Sequence, residues 1–329
     1  MNPFLRGLLP AAFALLAALP TWAARPIFVL NSLDADVSVI DPVTFKQVKR
    51  LPTGKEPHHL YLAPDEKTLI VANATGNTLT FIDPTNANVL RTVPKILDPY
   101  HLRFSPDMKW FVTAANRLNH VDIYKWNGAD APEPFTLVKR IDAPRTPSHL
   151  NIDSKSTVVY ASMQDSDELM AIDLATQKPR WKIKVGKLPA DVFLTTDDRT
   201  LLLGLTGDKF VEAYDVSGPQ PKLIKRIPTG DGAHAFRARG DKRHVFVSNR
   251  VANTISLLDT QTLAVVAEYP APGGPDCMEM LSDNRTLLVS SRWARRLSFI
   301  DIEQKKVMRQ VDVGRSPHGV WTLDHAPRQ

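Results

Sequence analysis

The chain has 329 residues, 43% of them hydrophobic and 23% charged, and its formal net charge is +6. That is enough apolar material for a sizeable core. The basic balance, with an isoelectric point near 9.3, favours an anionic partner over a cationic one. A single cysteine, Cys277, excludes an intrachain disulfide, and 26 prolines against 15 glycines point to many punctuated turns and few long helices.

Residues 1–23 read as a secretory signal peptide. Arg6 supplies the positive start. The apolar run Leu8 to Leu19 has 12 residues, whereas a bilayer span needs about 20. Thr21-Trp22-Ala23 ends in the small residue that a signal peptidase favours. The expectation is a periplasmic protein, cleaved on export, with a single mature domain over 24–329 and no membrane anchor.

A strand begins at Pro26, and from there two markers recur together. The first opens an alternating apolar strand: Pro57, Pro99, Pro147, Pro189, Ala233, Pro275 and Pro317, spaced by 42, 48, 42, 44, 42 and 42 residues. The second closes one: Asp41, Asp83, Lys125, Asp173, Asp215, Asp259 and Asp301, spaced by 42, 42, 48, 42, 44 and 42. The longer intervals coincide with the loops Asn127 to Pro134 and Gly218 to Pro221. A turn aspartate lies eight positions after most opening residues (Asp65, Asp107, Asp197, Asp241, Asp283). Four short strands per period of about 42 residues is the arithmetic of a propeller blade. Helical spacing of three and four is absent.

The ends of the repeat are complementary. Ile27 to Gly54 holds the last three strands of a unit, and Pro317 to Leu323 holds the first. Joined, they complete a seventh blade and cover the sheet edge that each would otherwise expose. The predicted fold is therefore all-β: a closed seven-bladed propeller with four antiparallel strands per blade.

Leu69-Ile70-Val71-Ala72-Asn73 followed by Asn77-Thr78-Leu79-Thr80-Phe81-Ile82-Asp83 resembles the YVTN repeat. So does Val245-Phe246-Val247-Ser248-Asn249 with Asn253-Thr254-Ile255-Ser256-Leu257-Leu258-Asp259, and so does the turn Ser105-Pro106-Asp107. Over 26–323 the chain is similar to the YncE-like branch of exported propellers. Their superfamily includes the haem domain of bacterial nitrite reductases, the methylamine dehydrogenase heavy chain and cycloisomerase-type lactonases. The resemblance implies the fold and leaves the activity open, because one fold hosts many functions.

In a propeller the first strand of each blade lines the axis, so residues just after the opening positions share one height. Two positions on stand His59, His101, His149, Asp191, Ala235, Cys277 and Gly319. One position on stand His58, Tyr100, Ser148, Ala190, His234, Asp276 and His318. Six of the nine histidines occupy these fourteen slots. The trio His59, His101 and His149, with Asp191 on the next blade, is a candidate metal site, since three imidazoles with an open fourth position suit a transition metal. Arg117, Arg250 and Arg292, just past second strands, together with His58, His234 and His318, form a candidate cradle for an anionic cofactor at the same mouth. A haem-like tetrapyrrole is one cofactor that the resemblance implies.

There is no Walker loop, dinucleotide fingerprint, CxxCH haem attachment or Gly-x-Ser-x-Gly elbow. No catalytic residue is assigned. Three functions stay open. One is a binding protein for a metal or a small anionic ligand. Another is a metal-assisted hydrolase or lactonase using the same ring. The third is a scaffold whose basic rim meets a protein or a polyanion such as DNA.

Overall fold

The computed structural model describes residues 25–328, and the expected signal peptide lies outside them. Seven four-stranded antiparallel sheets are arranged as blades. Blade 1 is the composite: Pro317–Thr322 pairs with Ile27–Asn31, followed by Asp36–Asp41 and Lys46–Pro52. Blades 2 to 7 open at Pro57, Pro99, Pro147, Pro189, Ala233 and Pro275, the positions that the repeat marks. First strands pack against the first strands of both neighbours around the whole ring, which closes it.

Each blade buries its inner strands and exposes its outermost one. In blade 2, Leu69–Asn73 is buried throughout, whereas Asn88–Pro94 is largely exposed. Facing blades share apolar clusters. Val112 and Val121 of blade 3 meet Val159 and Met170 of blade 4, for example. Alternating apolar strands build these two-sided interfaces because successive side chains leave opposite faces of a sheet.

The repeated polar residues hold the turns. Asp41, Asp83, Asp173, Asp215, Asp259 and Asp301 each accept a backbone N–H two or three residues on. The turn aspartates Asp65, Asp107, Asp197, Asp241 and Asp283 do the same, as Asx turns require. Asn73 donates to Thr78 and Thr80, and Asn249 to Thr254 and Ser256. The asparagine of the repeat thus ties the second strand to the third. No helix among the described residues is long and apolar enough to cross a membrane.

Candidate functional site

One local device aims two consecutive side chains at the axis. In every blade the first strand is irregular against the second within three residues of its opening position. The residue before each opening position has a positive φ: Glu56, Asp98, Thr146, Leu188, Gly232, Gly274 and Ser316. In a regular strand, neighbours point to opposite faces; a bulge re-aims one of them. As a result the adjacent rings of His58 and His59 lie side by side, Nδ1 to Nδ1 at 3.0 Å.

The upper ring, two positions after each opening residue, forms the floor of an axial cavity of about 540 Å³. His59, His101, His149, Asp191, Ala235, Cys277 and Gly319 all line it. The cavity continues past Arg103, Asn151 and Phe193 to the loops at Pro64, Glu66, Pro106 and Met108. It therefore opens at the end where first strands lead into second strands. The opposite end, where the sequence placed the mouth, is sealed by the lower ring. His58, Ser148, Ala190, His234, Asp276 and His318 there are at most 2% exposed. Periodicity fixes which residues share a height and leaves open which end is plugged.

His59, His101 and His149 come together. One nitrogen from each lies within 4.8 Å of the others, and the ring centroids are 4.4 to 4.9 Å apart. His59 Nδ1 is 2.7 Å from Tyr100 O, so it donates there and leaves Nε2 with its lone pair. A second partner on the ring is the usual way of orienting a metal-binding imidazole. His101 Nδ1 accepts Leu150 N–H at 3.3 Å, and His149 Nδ1 is 2.8 Å from Ser148 Oγ. Burial pushes all three well below 6.5, helped by the neighbouring histidines and Arg103. They are neutral at neutral pH, the state that ligates metals.

Asp191 does not join the trio. Its two carboxylate oxygens accept Val192 N–H and Phe236 N–H, at 2.9 and 2.8 Å. It ties blade 5 to blade 6, as His101 ties blade 3 to blade 4. Burial raises it to about 6. Around the cavity floor the structure brings the three histidines together without Asp191; His58–His59–His318 and Asp276–Cys277–His318 form two further groups of candidate ligands at the hub.

The arginine cradle is also arranged differently from the expectation. Arg117 pairs with Asp98 and, at 2.8 Å, with Glu56, away from the axis. Arg250 and Arg292 reach inward to Asp276 Oδ2, at 2.8 and 3.2 Å. The same carboxylate lies 2.9 Å from His318 Nδ1, which is also 2.8 Å from Arg292 Nη1, and 3.2 Å from His234 Nε2. Burial opposes the charge on Asp276, but Arg250, His318 and His234 hold it well below the usual carboxylate range. His234 is pushed down to about 4 by burial and Arg250. His58 stacks between His318 and Tyr100, at 3.7 and 3.9 Å. His58, His234 and His318 thus belong to the plug and do not line this cavity, although a ring nitrogen of His58 and one of His318 lie within 4.8 Å of one on His59.

Sequence reasoning set Asp276 among the hub slots without giving it a role, and it passed over Arg103. Asp276 needed a signal from loops that reach inward, which spacing does not carry. Arg103 stands four positions after its opening proline, so extending the slot comparison from two positions to four would have found it.

The fold and channel define a seven-bladed β-propeller with a one-ended axial cavity floored by three imidazoles. The chain belongs to the YncE-like β-propeller family, whose sequence model matches residues 2–328. No curated protein matches it in sequence. Among solved structures it is similar to a functionally unknown protein from Desulfotomaculum acetoxidans, with 15% identity, a TM-score of 0.77, and coverage of 91% of this chain and 99% of that one. The periplasmic gluconolactonase of Pseudomonas aeruginosa shows 18% identity and a TM-score of 0.75 over 92% and 99% of the two chains. The dihydro-haem d1 dehydrogenase NirN shows 17% and 0.68 over 95% and 79%. At these identities the likeness is one of fold.

Proposed function

We propose that this is an exported, periplasmic binding protein that holds a divalent transition metal on His59, His101 and His149 at the floor of its channel. The observation that carries the reading is three buried, neutral imidazoles converging at the blind end of an open cavity. Such a donor set leaves a coordination position facing the cavity for a ligand. His59 is the ring best set for ligation. His101 carries its proton on Nε2 while Nδ1 accepts from Leu150, so loading it requires the ring to turn or to give up that proton. The test is the element content of protein purified from the periplasm without an affinity tag. About one equivalent of metal is expected in the wild type, and none in the H59A/H101A/H149A triple variant. Metal-free wild type that takes up no added Co(II) or Zn(II) would end the reading.

A second reading, metal-assisted lactone hydrolysis, draws on the same imidazole floor and on the fold shared with a periplasmic gluconolactonase. Turnover on a lactone panel, abolished by chelation, would support it. A haem-like tetrapyrrole has less support here. Three imidazoles side by side suit a single ion better than a planar macrocycle, which takes its axial ligand from one. The polyanion-scaffold reading draws less on Arg117, Arg250 and Arg292, because Arg250 and Arg292 pair with the buried Asp276 and Arg117 with the buried Asp98.

A further inference from the structure

The layer above the floor comes from residues four positions after each opening residue. In chain order they are Tyr61, Arg103, Asn151, Phe193, Arg237, Glu279 and Trp321. Two of these are arginines, and they differ completely. Arg237 is saturated: it meets Glu279 at 2.5 Å and the carbonyls of Ala326 and Pro327 at 2.7 and 3.0 Å. Arg328 pairs with the same glutamate. Arg103 has the Tyr61 ring at 5.4 Å and, among the described residues, no ion-pair partner. Its charge nonetheless bears on His59, His101, His149 and Asp191. It is the cation that the cavity leaves free.

The charges lining the cavity are Arg103, Arg237 and Arg328 against Asp191, Glu279 and Glu66. Arg237 and Arg328 share Glu279, which leaves Arg103 as the guanidinium open to an anion from the channel. Across the floor from His101 and His149, the ring is small and apolar at Ala235, Cys277 and Gly319. Gly319 has to stay small: a Cβ there would lie 2.5 Å from Leu60 Cδ2 and 3.1 Å from His58 O.

We infer that the channel takes a small carboxylate whose head is anchored by the Arg103 guanidinium and whose body lies against the Ala235–Cys277–Gly319 side of the floor. One free guanidinium fork beside neutral imidazoles matches a planar monoanion, which it engages with two parallel hydrogen bonds. The inference rests on the channel being the binding site proposed above, and it does not require the ion.

Calorimetric titration with benzoate tests it, with benzamide as the neutral isostere and inorganic phosphate as the alternative anion. Metal-free and Co(II)-treated wild type are compared with R103Q and R103K, each checked for folding by circular dichroism. Metal-free wild type is expected to bind benzoate at least tenfold tighter than benzamide or phosphate. R103Q should lose at least tenfold in benzoate affinity, and R103K should lie between. Equal benzoate binding by wild type and R103Q, equal binding of benzamide, tighter binding of phosphate, or no benzoate binding by wild type would each overturn it. Should R103Q fail to fold, R103K and the benzoate–benzamide contrast on wild type decide. Arg103-dependent benzoate binding in protein that takes up no cobalt would uphold this inference while ending the metal reading.

Discussion

The two hub rings differ by one position in sequence and by almost everything in chemistry. The lower ring contains its own answer to its charge. Asp276 sits among Arg250, Arg292, His234 and His318, and nothing there faces the cavity. The upper ring gathers neutral imidazoles around open volume, with donors directed at one another and at backbone. A buried cluster whose charges pair with one another reads as structure, even though Asp276 Oδ1, His234 Nε2 and His318 Nε2 lack a hydrogen-bond partner there. Convergent donors bordering a cavity read as a site.

The largest expected effect tests that contrast directly. Replacing Asp276 by Asn leaves two inward arginines without their carboxylate and should cost about 3–5 kcal/mol of stability by urea denaturation. H101A, at the floor, should cost only about 1 kcal/mol. Equal losses would erase the distinction between plug and site. Next, Co(II) at a hundredfold over its dissociation constant should stabilise the wild type by about 2.7 kcal/mol. It should stabilise D276N similarly and the triple histidine variant not at all, as read from shifts in the unfolding midpoint.

Acid stability sharpens the same comparison. The folded-state pKa of Asp276 is depressed below 3.8, so its contribution is fully present above the unfolded value and is lost as pH falls through the folded one. Each unit of depression corresponds to about 1.4 kcal/mol. Wild type should therefore lose stability faster than D276N as pH drops below about 4, and parallel acid limbs in the two proteins would contradict the plug. The smallest effect concerns Cys277. Burial, then Asp276 and Asp191, push its thiol well above 9. Iodoacetamide at pH 8 should alkylate it ~tenfold or more slowly than free cysteine, as followed by mass spectrometry.

Spacing made the fold readable: opening and closing residues at fixed intervals gave seven blades, the composite blade and the slots of both rings. It also brought His59, His101 and His149 to one height. Other features needed three dimensions. The left-handed residues that redirect the chain before each inner strand include Glu56, Asp98, Thr146, Leu188 and Ser316, none of them glycine, so nothing in composition marked them. The inward reach of Arg250 and Arg292 depends on loop geometry, and the same residue type at Arg117 turns away to Asp98 and Glu56. Asp191 looked like a ligand because it shares the floor, but its oxygens accept backbone amides of its own and the next blade, and it is not grouped with the three histidines.

The seam in blade 1 bears on how the hub is made. The innermost strand there, Pro317–Thr322, is the last of the described strands to be synthesised, and it brings His318 and Gly319 with it. Until it docks beside Ile27–Asn31, Asp276 lacks one of its four partners and the stack on His58 is unfinished. The wheel therefore locks and the channel acquires its floor in the same event, so a chain caught partway through folding has neither a closed ring nor a finished pocket.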